Sequence, residues 1–184
     1  MENIVICRFG VESEAYQAFS DLKNDPHNHS CDIRQVTLVK RELGTFKAID
    51  EFKDGKYVDD TFTGGILGAF IGILGGPIGV LLGSGIGFLG GSAKDAKDFD
   101  NDASMIERVI DDIRDECVFL AILVDEAGPE MLDAKLSRYD HTAERYDASE
   151  IRAEVKGAEK LQKQMRKDAR KALRESKKNR REAE

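Results

Sequence analysis

The sequence predicts an α+β fold: a ferredoxin-like split βαβ sandwich with an inserted glycine-rich helical hairpin and a long C-terminal charged helix. Three observations predict it. Short apolar runs at residues 4–9 and 117–124 have the length and composition of buried strands. Strand and helix patterns follow one another as β-α-β-β-α-β and then α-β, a split βαβ unit with an extra edge strand. Residues 61–93, which interrupt that order, contain no charged side chain and carry regularly spaced glycines. The expected organisation is a ferredoxin-like domain over 1–148, with the hairpin inserted at about 62–92, and a basic helix over 149–184.

Ile4-Val5-Ile6-Cys7-Arg8-Phe9 ends at Gly10 and reads as a buried strand. Ser13 is expected to cap the next helix, whose Ala15, Phe19 and Leu22 keep helical spacing until Asp25-Pro26 stops it. Gln35–Arg41 and Thr45–Lys53 read as strands joined around Leu43-Gly44, with Asp54-Gly55 as the next turn. After the glycine segment, Met105, Ile106, Val109, Ile110 and Ile113 mark one face of an amphipathic helix over 104–114. Cys117–Val124 is apolar throughout, so it belongs at the centre of the sheet. Gly128-Pro129 opens a helix to about Arg138, Ala143–Asp147 is the last strand, and one long charged helix runs from Ser149.

Charge is unevenly spread. The net charge is −7, but residues 151–184 hold 13 Lys/Arg against 6 Asp/Glu, leaving 15 against 29 in residues 1–150. An acidic body with a basic tail implies that the tail meets something anionic: lipid headgroups, nucleic acid, or the acidic body of a neighbouring copy. The chain has no Trp and few aromatics, which argues against a platform for stacking bases. Cys7, Cys31 and Cys117 lie in or beside apolar runs and read as reduced, buried thiols. Met1-Glu2-Asn3 leads straight into a strand pattern with no basic-then-apolar leader, so the body is expected in the cytoplasm.

The glycines form two ladders, Gly64, Gly68, Gly72, Gly76 and Gly79, Gly83, Gly87, Gly91. Residues four apart share one helix face, so each ladder would bare a stripe where a second backbone can approach. Glycine costs up to about 1 kcal/mol per helical position, so ladders this regular require a packing partner. A helical hairpin turning at Gly75-Gly76, with Pro77 at a helix start, keeps both ends of the insertion together. Each arm would span roughly 21 Å, short of the roughly 30 Å hydrocarbon core of a bilayer. The outward side chains would be Ile66, Leu67, Phe70, Ile71, Leu74, Val80, Leu81, Leu82, Ile86, Phe88 and Leu89. These are the expected contacts with a membrane or with other copies. Three destinations stay open for the hairpin: a membrane, a water-soluble homo-oligomer, or burial on the chain's own sheet.

Thr61-Phe62-Thr63-Gly64-Gly65-Ile66-Leu67-Gly68 and Ile73-Leu74-Gly75-Gly76-Pro77-Ile78-Gly79-Val80-Leu81-Leu82-Gly83 carry a family likeness. They resemble the core of bacterial proteins catalogued as domain of unknown function 1269, often described as membrane- or stress-associated. Asp102-Ala103-Ser104-Met105-Ile106-Glu107, the strand at Val118–Val124, Arg145-Tyr146-Asp147-Ala148 and the charged tail extend the likeness over nearly the whole chain. What the resemblance implies is a ferredoxin-like scaffold bearing a hydrophobic hairpin, with no established activity and no catalytic residues to carry over.

Motifs for chemistry are wanting. His27-Asn28-His29 before Cys31 has no second ligand cluster and reads as a solvated turn. Asp98-Phe99-Asp100-Asn101-Asp102 opens like a calcium loop, but Ala103 stands where Gly is needed and Val109 where a bidentate Glu belongs. An EF-hand is thereby excluded, and these acids are expected to charge the N-terminus of the helix over 104–114. There is no nucleophile elbow, Walker lysine or dinucleotide-binding setting. No catalytic residue, cofactor, metal or small-molecule substrate is therefore expected.

On the tail, Ile151, Val155, Ala158, Leu161, Met165, Ala169, Ala172 and Leu173 form a stripe suited to docking on the body or a partner helix. Lys167, Arg170, Lys171, Arg174, Lys177, Lys178, Arg180 and Arg181 are the expected contacts with an anionic partner. Lipid ranks before nucleic acid, because no aromatics interleave the cations. The expected function is non-catalytic: a membrane-associated or self-assembling protein acting through its hairpin, with itself as the first partner. The alternative is a soluble cytoplasmic binder of nucleic acid or another anionic partner through the basic helix. An enzyme on the open sheet face has no triad or ligand cluster behind it.

Overall fold

The computed structural model describes residues 1–28, 30–54, 65–76, 79, 105–113 and 117–182. In chain order the elements are β1 (Glu2–Phe9), α1 (Glu12–Asn24), β2 (His27–Asn28), β3 (Cys31–Glu42), β4 (Thr45–Lys53) and α2 (Gly65–Leu74). There follow α3 (Met105–Asp112), β5 (Val118–Glu126), α4 (Glu130–Leu136), β6 (His141–Asp147) and α5 (Ala148–Glu182). Strands β1 and β5 are apolar at consecutive rather than alternate positions. They pair antiparallel, with Ile4 opposite Leu123 and Ile6 opposite Ala121. Together they show apolar side chains on both sides of the sheet, and both sides need cover.

The sheet order is β2-β3-β5-β1-β6, with β4 paired to β3, and every pairing is antiparallel. The run β6-β1-β5-β3, with α1 and α4 on one face, is the ferredoxin-like unit. The order of elements in the sequence predicts that this unit ends with the helix at 104–114 and the strand at 117–124. In the structure it ends with α4 and β6, and the extra edge strand is β4. The reason is register: β5 lies antiparallel between β1 and β3, so the parallel partner closing the second split βαβ is β6, beyond β1.

On the first face Val5, Cys7, Leu120 and Ile122 pack under Ala15, Phe19, Leu22, Leu132 and Leu136. Ile33 and Val36 both reach this layer, because a bulge at Arg34 shifts the alternation of β3 between them. On the second face Ile4, Phe119 and Leu123 pack with residues of α2, α3 and α5, among them Phe70, Ile110 and Ile151. Two left-handed residues, Leu43 (φ 51°) and Gly44 (φ 71°), make the tight β3–β4 turn. The expected Ser13 cap is not formed: α1 starts at Glu12, after an extended Val11 that gives no side-chain cap.

Charges bracket α3 at both ends. Its first N–H groups, on Met105 and Ile106, donate to the Glu154 carboxylate of α5 at 2.9 and 3.1 Å. At its C-terminal end Arg8 Nη1 donates to the Asp112 carbonyl at 2.8 Å, and Arg41 Nη1 to that of Ile110 at 2.6 Å. An anion at the start and cations at the end of a helix satisfy otherwise orphaned backbone groups and complement its dipole. The acids at 98–102 expected in the first role lie outside the described residues. Asp147 caps α5: the Ser149 hydroxyl and the Ser149 and Glu150 N–H groups donate to it and hold its carboxyl below the usual carboxylate range.

Glu126, 3 % exposed, is the most buried acid described. Its Oε1 accepts from Arg145 Nε at 3.0 Å and Asn3 Nδ2 at 3.1 Å, while Oε2 has no partner among the described residues. Arg145 also reaches Asp133 Oδ1 at 2.5 Å. Breaking a buried pair on one side leaves an uncompensated charge, worth about 3–5 kcal/mol. Arg145→Met is therefore expected to lower unfolding stability in urea by roughly that amount, and adding Glu126→Gln to recover most of it. A double variant as unstable as the single would sink this account.

Candidate docking surfaces on the hairpin arm and the C-terminal helix

Helix α2 is the first arm of the expected hairpin, and its apolar residues point inward. Leu67, Phe70 and Leu74 are wholly buried, Ile71 is 5 % exposed, and Ile66 packs partly against the same cluster. From the sequence all five are expected on an outward surface. Leu67, Phe70, Ile71 and Leu74 are core residues instead and Ile66 is partly buried beside them, because the second apolar face of β1 and β5 requires cover and α2 supplies it. Left on the outer side are Gly68 and Gly72, where an added Cβ would meet no described atom within 4 Å.

Close approach to the sheet occurs at two glycines outside the ladders. Gly65 sits at φ 58°, with an added Cβ 2.8 Å from Gln35 Oε1 of β3. At Gly75 a Cβ would collide with the Phe46 carbonyl of β4. The chain thus enters and leaves α2 through two glycine contacts with the sheet. Of the ladder residues, Gly76 lies beside Gln162 of α5, with an added Cβ 3.1 Å from its Nε2, and Gly79 crowds the Leu74 carbonyl. Gly64, Gly83, Gly87, Gly91, Val80, Leu81, Leu82, Ile86, Phe88 and Leu89 lie outside the described residues.

Helix α5 has two opposed faces. Ile151, Val155 and Ala158 are buried, and Leu161 and Met165 pack partly on the same cluster, as the apolar spacing predicts. Beyond Met165 the helix leaves the body: residues 166–176 are all exposed, Ala169, Ala172 and Leu173 included. On the far side from the docked stripe, Lys156, Lys160, Lys163, Lys167, Arg170 and Arg174 recur at alternating steps of four and three, every one exposed. Such a repeat drifts only about 20° per heptad on a straight helix, so the row holds one face for about 27 Å.

None of these six cations, nor Arg166 or Lys171, has an ion-pair partner among the described residues. Those of the body mostly do: Arg8 holds Glu144, Arg34 holds Glu2, Lys135 holds Asp25, Arg138 holds Asp21 and Arg145 holds Glu126. Of the α5 cations, Lys167, Arg170, Lys171 and Arg174 are expected from the sequence as anionic-partner contacts, whereas Lys156, Lys160 and Lys163 are not among the expected residues. The regular step would have found them, whereas tail composition did not. The side chains of Lys177, Lys178, Arg180 and Arg181 lie outside the described ones.

Other groupings are structural in character. A cleft of about 500 Å³ between α3 and β6 is lined by Arg108, Asp111, Asp112, Glu144 and Tyr146. Its Glu144 already accepts from Arg8 Nη2 at 2.5 Å and from the Tyr146 hydroxyl at 2.8 Å. Burial and that carboxylate raise the Tyr146 pKa. The His27 ring lies between Asp32 and Asp54, with Nε2 3.3 Å from Asp54 Oδ2; His29 lies outside the described residues. Burial pushes the thiol of Cys7 up to about 12 and that of Cys31 to about 11, and it also raises Cys117. Thiols so shifted hold almost no nucleophilic thiolate at neutral pH. Among the described residues, no three His, Cys, Asp or Glu are grouped to hold a metal ion, and no helix is long and apolar enough to cross a membrane.

No protein-family model, curated protein or solved structure matches the chain. An exposed mid-helix glycine is worse than alanine by roughly 0.5–1 kcal/mol. Gly68→Ala combined with Gly72→Ala is expected to raise the unfolding free energy by about 1–2 kcal/mol in denaturant titration. A less stable double variant would mean that another backbone occupies that face.

Proposed function

We propose that the protein is a non-catalytic docking module that engages an anionic partner through α5, with the sandwich as its rigid base. The observation that carries this reading is the set of eight exposed Lys and Arg on α5 with no described carboxylate partner, six of them in a row turned away from the body. The excess of cations in residues 151–184 and the scarcity of aromatics support the same view. Burial of Leu67, Phe70, Ile71 and Leu74 supports a scaffold role for the first hairpin arm. The resemblance to membrane- or stress-associated bacterial proteins is compatible with a surface-docking role.

Binding of this kind depends steeply on salt. The full chain is expected to bind a sulfated polysaccharide at low ionic strength and to release it as salt is raised. Lys167→Glu with Arg170→Glu and Arg174→Glu is expected to abolish retention without changing thermal stability, because these side chains are exposed and have no ion-pair partner among the described residues. Retention equal to that of the parent, or none by the parent at low salt, would end the reading.

A second reading, self-association through the outer side of α2, is favoured by the open space over Gly68 and Gly72. Gly72→Leu would then dissociate the assembly in light scattering and leave the fold intact. A parent chain that is monomeric at high concentration would remove this second reading alone.

A further inference from the structure

We infer that the partner of α5 is an anionic lipid surface, against which the helix lies lengthwise along the row from Lys156 to Arg174. The inference rests on the docking role of α5 and narrows it to one kind of partner. Its basis is the shape of the row as much as its charge. Lys156, Lys160 and Lys163 sit on turns whose opposite side is docked on the core, while Lys167, Arg170 and Arg174 sit on or beyond the last docked turn. One straight line of cations therefore begins over the body and continues along the projection. The line lies on the exposed side of α5, opposite the side docked on the core, so one level surface can meet all six side chains.

A duplex nucleic acid fits this line less well. Its phosphates wind around the axis once in about 34 Å, so a straight rod outside the grooves meets them over only part of a turn. A bilayer surface stays level along the whole row, and each Lys or Arg near anionic headgroups adds to the attraction. The acids of the projecting turns do not interrupt it. Asp168 and Glu175 fall to one side of the row, and Asp168 accepts from Gln164 at 3.2 Å. The apolar Ala169, Ala172 and Leu173 continue the line of the docked stripe, opposite the cations. Contact through the row is thus electrostatic and peripheral, with no side chain driven into hydrocarbon.

The test uses the full chain and vesicles of phosphatidylcholine with or without phosphatidylserine, read by co-sedimentation. The parent is expected to bind only vesicles containing phosphatidylserine and to release them at high salt. Two charge-reversal variants divide the row: Lys156→Glu with Lys160→Glu over the body, and Arg170→Glu with Arg174→Glu on the projection. Each is expected to weaken vesicle binding by about tenfold or more, with unchanged circular dichroism. If only the projecting pair mattered, lengthwise docking would be overturned. Binding to duplex DNA or to the sulfated polysaccharide without binding to vesicles would overturn the lipid partner and leave the docking role standing. A chain that binds no polyanion at all would remove both.

Discussion

The constraint on which the rest of the structure depends is the two-sided apolar character of β1 and β5. Ile4 and Ile6 face one way and Val5 and Cys7 the other, and Phe119 to Val124 alternate likewise across the sheet. Burying a side chain of this size stabilises by roughly 1.5–3 kcal/mol, so neither face can be left to water. Helices α1 and α4, supplied by the split βαβ connections, cover only one. The other needs helices from elsewhere in the chain, and that need recruits α2, α3 and α5.

Recruitment explains features that look unrelated in sequence. An eight-residue helix such as α3 is too short to be stable alone. It persists because Ile106, Val109 and Ile110 are buried and because Glu154, Arg8 and Arg41 satisfy its ends. Glu154 thereby ties α5 to α3, while Glu2 links Arg34 of β3 to Arg152 of α5. The base of α5 is thus anchored by paired charges as well as by apolar packing, and its inward-facing polar groups are used within the body. The glycines that frame α2 serve the same layer: Gly65 and Gly75 let a helix come down onto β3 and β4 at both its ends.

Much of this was legible in the sequence wherever the signal is local. The runs Ile4–Phe9 and Cys117–Val124, the turn at Leu43-Gly44, and the apolar faces of α3 and of the first half of α5 come directly from composition and spacing. What was hidden is non-local. A helix with Leu67, Phe70, Ile71 and Leu74 on one side and Gly68 and Gly72 on the other has the same periodicity whichever side faces in. Only the sheet's unmet second face decides it. The start of β3 was obscured because the bulge at Arg34 breaks the alternation that would reveal Cys31 and Ile33. The closing strand of the split unit depends on pairing between strands more than a hundred residues apart, such as Cys7 with Ala143. Lys156, Lys160 and Lys163 escape a charge count of the tail, because the row is defined by its step.

A chain of net charge −7 that presents a cationic edge is no contradiction, and distance is the reason. The row lies across the full width of α5 from the body, about 10–12 Å away. At physiological ionic strength the Debye length is about 8 Å, so the field of the body's surface acids has largely decayed at the far side of the helix. Two acids at the root of α5 are engaged within the body: Glu2 with Arg34 and Arg152, and Glu154 with the α3 N-terminus. What reaches an approaching surface is therefore the local pattern of Lys156 to Arg174 and not the overall balance. The same separation keeps the sandwich's own negative charge from repelling an anionic partner, provided that the partner meets the helix first. Projection of α5 beyond Met165 gives it that order of approach.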